Sequence, residues 1–410
     1  MKRNTQKQKY QDQRSVPTTL KLLKFGWCFN FFMMIAPIIV LVYVQKGISV
    51  GDFFLIQALF RVSAFLFEIP SGYLSDRFSR KHILILGTIV HMIGYSTLAI
   101  AHGFWQIVLG EAILGIASAL FTGTLEAYTY DLLKRNNTQK QFLKEFGSIQ
   151  TYGQAASFIA AILGGILLPY IGGTGILWAE ALLCIISIVL FSFIPELSEV
   201  VRKKAKNKSN VADAVGITYN TLKNPKLRNF ILFPALFGGF TIILLWIMQP
   251  TMEAAHIPVT LFGFYFGINQ FSSMLFSKYA YKICTKLGEI TTSVMTIFMI
   301  ILGAILTLIV LNTHNMAVIY VLCAIMAVIP AIRMLNNLQY NTLIHNDIDS
   351  KERGTVLSTR AMVGTVFGAI MLSCAKIFLD SFGIQMTMLF TLLMTTLLIW
   401  SLKNVKKYIK

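Results

Sequence analysis

The chain has 410 residues, of which 55% are hydrophobic and 13% charged, and its formal net charge is +18. Soluble proteins carry about 25% charged residues, so this composition excludes a chain that faces water on all sides. The positive excess is not a nucleic-acid patch: 31 of the 36 Lys and Arg fall on one side of an alternating series of apolar stretches, so nucleic acid is not expected as a partner.

The first residues, MKRNTQKQKYQDQR, are polar and basic, with no apolar run ahead of a small-residue cleavage site. No removed signal peptide is therefore expected. Twelve apolar stretches follow: 24–46, 51–75, 82–101, 104–131, 146–170, 174–194, 228–250, 258–281, 290–311, 316–340, 355–379 and 382–402. Each is about 20 residues, enough to cross a hydrocarbon layer of roughly 30 Å. They are numbered below as spans 1 to 12. The Lys and Arg bias between alternate loops places both termini in the cytoplasm by the positive-inside rule. The long polar interruption at 195–227 divides the spans six and six. The expected fold is an all-α membrane protein of twelve transmembrane helices in two pseudo-symmetric six-helix bundles. Its divisions are 1–194 (N-terminal bundle and tail), 195–227 (cytoplasmic linker with a short helix on the anionic leaflet, or a solvated loop) and 228–410 (C-terminal bundle).

Span 2 ends in FEIPSGYLSDRFSRKH, which passes from apolar to strongly charged. Asp76 sits at a helix C-terminus, where a carboxylate is disfavoured by about 0.3–1 kcal/mol unless compensated. Arg77, Arg80 and Lys81 are local partners, and the N-terminus of another helix is the more informative candidate. Gly72, one turn earlier, would let that helix approach closely, making the junction a latch between two packed bodies. Ser71–Arg80 aligns with Ser277–Lys286 after span 8, an internal echo that supports duplication.

The run Gly72-Tyr-Leu74-Ser-Asp76-Arg77-Phe-Ser-Arg80-Lys81 resembles the loop signature of the major facilitator superfamily, with Ser79 in place of the usual Gly. The resemblance implies a twelve-span transporter in which Asp76 docks against the start of span 11, here around Gly354-Thr355-Val356. Glu68-Ile-Pro70-Ser-Gly72 and Gly123-Thr-Leu-Glu126-Ala-Tyr-Thr-Tyr130-Asp131 are similar to a bacterial branch of the superfamily grouped with drug exporters.

A charge at bilayer depth costs about 2.5–3.5 kcal/mol on insertion scales, so each one needs a partner or a purpose. Arg61, Glu68 and Gly72 share a face of span 2, and Pro70 is placed to kink that helix. Glu111 and Glu126 lie within about 60° on span 4, with Asp131 at its inner end. One reading is a relay: Arg61 pairs with Glu68 or Glu111, and one carboxylate exchanges a proton. The other is a static ion pair joining spans 2 and 4. Glu126 and Asp131 are expected to brace Arg77 and Arg80 at an inner gate. Two departures from the resembled exporters stand out. Glu111 occupies the place of their span 4 Arg, and span 5 keeps the small residues Ala156, Ala160, Ala161, Gly164 and Gly165 without the family Pro.

In the second half, Arg333 either anchors an anionic substrate group or snorkels to the cytoplasm. Arg360, one turn into span 11, is expected to join the Asp76 latch. His91 reads as a packing histidine. If the resembled architecture holds, spans 1, 4, 7 and 10 line the cavity. They offer Trp27, Asn30 and Phe31, then Trp246 and Gln249, then Arg333 and Asn336. Aromatics with a few amides suit lipophilic molecules or cations.

The five cysteines lack metal or disulfide spacing, and no phosphate loop or nucleophile–base pair is present. No catalytic residue, metal or cofactor is expected, and no enzyme. The expected function is proton-coupled antiport exporting small lipophilic or cationic compounds. It is carried out by a monomer among membrane lipids in a bacterial plasma membrane. The alternatives are a specific metabolite symporter or uniporter, and a non-transporting sensor or immunity protein on the same fold.

Overall fold

The computed structural model describes residues 2–197, 211–348 and 353–409; the side chains at 2–15, 69, 73, 76, 140, 143, 211–215, 281, 345, 346 and 353–355 lie outside that description. Among the described residues, eight helical stretches are long and apolar enough to cross a membrane. Two of them, Lys144–Ser192 and Val356–Lys406, are hairpins of two crossings each. Their corners are single glycines with positive φ, Gly172 (+66°) and Gly383 (+74°), a conformation an L side chain rarely adopts. Helix pair Lys2–Asn30 and Ile39–Gln45 makes another crossing, and Phe262–Leu287 the last, for twelve. The glycine corner between the fifth and sixth helix of each bundle is a second internal echo.

Because the count of crossings is even, both termini lie at one end, here the terminal end; the other is the distal end. The halves meet along two seams, span 2 against span 11 and span 5 against span 8. The small residues of span 5 explain the second seam. A Cβ on Gly263 of span 8 would overlap the Ala161 carbonyl oxygen, and one on Gly165 would lie 2.8 Å from that of Thr260. Backbones this close leave no room for larger side chains.

Three spans expected to be continuous are broken. Span 1 leaves helical geometry at residues 31–38, around Pro37. Span 4 divides into Phe104–Phe121 and Thr124–Arg135 at Gly123, with φ +74°. Span 10 tightens into a short 3-10 turn, Ile329–Ile332, at Pro330 before resuming as Arg333–Asn346. Proline removes a backbone donor and crowds the preceding turn, which accounts for spans 1 and 10. Irregular backbone at membrane depth is tolerated only where protein or a water-filled cavity supplies partners. Span 2, by contrast, runs unbroken as Val50–Arg77 despite Pro70.

Of the central segment, residues 198–210 lie outside the described residues. A helix, Val211–Lys223, follows, and Thr218 shares a 3.1 Å hydroxyl contact with Thr359 at the start of span 11.

Candidate functional site

The three breaks surround one cavity of about 700 Å³ between the bundles. Its wall includes Trp27, Asn30, Phe31, Gln57, Phe60, Arg61, His91, Tyr95, Glu111, Phe121, Glu126, Trp246, Phe266 and Arg333. It reaches toward the terminal end past Leu125, Phe146 and Gln150. Trp27 packs against Phe31 and Phe121 at ring-centroid separations of 5.2 and 5.7 Å, so one wall is a continuous aromatic surface.

The distal end is tied across the bundles. The break in span 1 frees backbone groups, and two buried side chains take them up. Glu180 Oε1, from span 6, accepts the Ile35 N–H at 2.7 Å. Gln249 of span 7 accepts the Val40 N–H at 3.1 Å and donates to the Ala36 carbonyl at 2.9 Å. Farther out, Lys376 of span 11 pairs with Asp52 of span 2 at 2.6 Å and with Asp380 at 2.7 Å. Gly51 abuts Asp380 so closely that any Cβ would overlap the carboxylate.

Glu111 is only 3% exposed. Its Oε1 accepts from the Tyr43 hydroxyl at 2.7 Å and from Gln57 Nε2 at 3.0 Å, joining spans 1, 2 and 4. The expected pairing with Arg61 is therefore corrected: neutral donors hold the carboxylate, because the break in span 1 turns Tyr43 toward it. Arg61 instead reaches span 11, where a Cβ on Gly368 would lie 3.0 Å from Nη1. Glu68 is half-buried, absent from the cavity wall, and not bonded to Arg61. Sharing a helix face places two side chains on one side but does not bring their charged ends together.

The expected brace at the terminal end divides in two. Asp131 and Arg80 form a buried ion pair, and Arg80 also donates to the Ala127 carbonyl at 3.0 Å. Glu126 does not join them. The break at Gly123 rotates its helix away from the first half of span 4, and Glu126 stands exposed in the cavity wall. Arg77 is exposed. Among the described residues nothing lies within 4 Å of a Cβ position on Gly72, so the close crossing expected there has no described partner. The Asp76 side chain and those at 353–355 lie outside the described residues, as does the latch contact built on them. Arg360 is held by Asn341 and by Asn337 at 2.9 Å, within its own bundle.

Of the substrate-cavity candidates, Trp27, Asn30, Phe31, Trp246 and Arg333 lie in the wall. Asn30 is fixed from behind by Thr88 (2.9 Å) and His91 (2.7 Å). Two candidates are corrected. Gln249 is committed to the span 1 backbone, and Asn336 is wholly buried outside the wall, with neither amide atom hydrogen bonded. Glu180, Tyr43 and Gln57 escaped sequence reasoning. The cost of a charge at bilayer depth applied equally to Glu180 and would have found it; Tyr43 and Gln57 carry no such signal.

Comparison with known proteins matches residues 25–372 to the profile of the Major Facilitator Superfamily. An uncharacterized transporter of Buchnera aphidicola, BU466, is 30% identical over 152 residues, which cover 36% of this chain and 37% of the relative. The class B tetracycline resistance protein of Escherichia coli is 26% identical over 35% of this chain and 33% of its own length. The matched region thus spans about a third of these relatives. Among solved structures, the nucleoside transporter NupG superposes with a TM-score of 0.79 at 16% identity, covering 96% of this chain and 99% of that one. A bacterial homologue of the human lysosomal transporter Spinster, in an inward-facing and unoccupied conformation, superposes with a TM-score of 0.73 at 14% identity, covering 96% and 98%. Identities this low establish shared architecture alone. The profile match runs through both bundles and the cavity between them, and it makes this chain a member of the major facilitator superfamily, a membrane transporter and not an enzyme.

Proposed function

We propose that the chain is a proton-coupled antiporter that exports small lipophilic compounds by alternating access. It works as a monomer in a plasma membrane with both termini cytoplasmic. The observation that carries this reading is Glu111, a carboxylate in the cavity wall held by two neutral donors and in no ion pair with a cation among the described residues. An uncompensated charge at that depth costs about 2.5–3.5 kcal/mol, a cost that a proton removes.

Proton uptake would also act on structure. Hydrogen bonds to a charged acceptor are roughly twice as strong as neutral ones. Neutral Glu111 therefore holds Tyr43 less firmly, and Tyr43 belongs to the distal segment of the broken span 1, Ile39–Gln45. The proton is thereby linked to the joint that carries the Gln249 contacts at the distal end. A proton falling through about 100 mV releases about 2.3 kcal/mol, and one pH unit adds about 1.4. Together they sustain a cargo ratio of about 500-fold.

The aromatic wall supports lipophilic cargo. The likeness to tetracycline resistance proteins supports export. Cationic cargo is not carried forward, because the charges that spans 2 and 10 present to the cavity are both arginines. In inside-out vesicles, accumulation of a lipophilic dye should collapse on adding a protonophore and should be lost in Glu111→Gln. Dye accumulation that survives both treatments would refute the coupling.

A further inference from the structure

Arg61 and Arg333 face the same cavity from opposite bundles. Arg61 stands midway along Val50–Arg77, and Gly368 of span 11 leaves the space its guanidinium occupies. Arg333 opens the helix that resumes span 10 after the Pro330 turn, so the break in that span sets it at the cavity rather than at the membrane face. Two like charges on the wall of one cavity repel one another, and neither makes an ion pair with a carboxylate among the described residues. The acids of the cavity are placed elsewhere. Glu111 is taken by Tyr43 and Gln57, and Glu126 lies on the far side of the Gly123 break.

Each guanidinium carries five N–H donors and no acceptor. Two of them, unpaired and repelling at membrane depth, are costly unless a third party brings negative charge. Arginine forks match carboxylate, phosphate and sulfonate oxygens two at a time. The same wall carries the apolar side chains Phe60, Leu245, Trp246, Phe266 and Met334 beside the amides of Gln57, Asn269 and Gln270. We infer that the cavity binds an amphiphilic organic anion, its acidic group bridging Arg61 and Arg333 and its apolar body against these side chains. The inference rests on the transport reading above and narrows its cargo. It also gives the cargo a part in the conformational cycle. A bound anion cancels the repulsion between a residue of one bundle and a residue of the other, so loading favours their approach.

The test uses the full chain in nanodiscs of zwitterionic lipid, with empty discs as blanks and three probes that share a ring: 2-naphthoate, 2-naphthylmethanol and 2-naphthylmethylammonium. The unmodified protein should bind naphthoate at least about tenfold more tightly than the alcohol, and the ammonium least. Arg61→Gln and Arg333→Gln should each weaken naphthoate about tenfold while leaving the alcohol within about twofold. Arg333→Lys should recover part of the loss. Competition by added phosphatidylglycerol would identify the anion as a lipid headgroup, and its absence as a soluble compound; both outcomes keep the site. Ammonium binding equal to naphthoate binding in the unmodified chain would overturn the inference without recourse to any variant, as would naphthoate binding indifferent to both arginines. Proton exchange measured in proteoliposomes separates the two readings. Arginine-dependent naphthoate binding without proton movement removes antiport alone, and ammonium-driven proton release independent of both arginines removes the anion site alone.

Discussion

The two ends of the molecule are joined by different kinds of contact. At the distal end polar contacts cross between bundles, Gln249 to Ala36 and Val40 and Lys376 to Asp52, besides those within a bundle. Backbones also meet there without intervening side chains, at Gly263 and Ala161. At the terminal end the ion pairs given by described residues lie within one bundle: Arg80 with Asp131, Lys24 with Glu145, and Lys226 with Asp347. There, Gly72 meets no described neighbour and Glu126 faces the cavity. Under the alternating-access reading proposed above, the contrast is that of a molecule held together at the distal end, with each bundle braced internally among the described residues of the terminal end. Contacts of the first kind must break for the cavity to change sides, and those of the second kind need not.

That difference orders the expected effects of mutation, beginning with the internal braces. Arg80 and Asp131 are 5% and 4% exposed, so removing either breaks a buried ion pair. Arg80→Ala or Asp131→Ala should destabilise the N-terminal bundle by about 3–5 kcal/mol, read as a fall in the denaturation midpoint of the purified protein. The pair Arg80→Met with Asp131→Leu should restore much of it, since burying two charges is itself expensive. Should either single substitution change which end is accessible without loss of stability, the brace would belong to the gate instead.

Next in size is Glu180, which stands between the two kinds. It lies within the N-terminal bundle, yet it holds the joint from which the distal contacts spring. Glu180→Ala leaves the buried Ile35 N–H without an acceptor, a loss of about 1–3 kcal/mol. Glu180→Gln retains a carbonyl oxygen and should stay close to the parent protein. Hydrogen exchange at residues 31–38 checks this directly: protection should fall in the alanine variant and persist in the glutamine variant.

The architecture was legible in the sequence because hydropathy and charge act over whole helices. Apart from the breaks and the first helix, which begins at Lys2, the expected spans end within about six residues of the observed helices. The candidate site was less legible because it depends on where helices stop. Pro37, Pro330 and Gly123 were visible as residues, but their consequences required neighbours. Once span 1 is broken, Tyr43 meets Glu111 and Gln249 serves the backbone; with an unbroken helix, Arg61 and a cavity role were the natural assignments. Gly72 shows the same limit from another side. Its smallness permits a close crossing, and none of the described residues makes one.

The smallest effect belongs to the outermost inter-bundle contact, and its sign carries the most information. Asp52 and Lys376 are 35% and 23% exposed, and Lys376 keeps Asp380 if Asp52 is lost. A pair so open to solvent is worth about 0.2–1 kcal/mol, so Asp52→Asn should hardly move global stability. Because the contact exists only while the distal end is closed, its whole worth falls on the balance between states. One kcal/mol alters a two-state ratio by about fivefold. Thiol labelling of a cysteine placed at Ile39, buried in the cavity wall behind the distal seal, should therefore rise by up to about fivefold in Asp52→Asn. High salt should produce part of the same rise in the unmodified protein, since screening weakens exposed pairs. A labelling rate indifferent to both would mean that the other inter-bundle contacts, Gln249 and the glycine seam among them, hold this end shut without the ion pair.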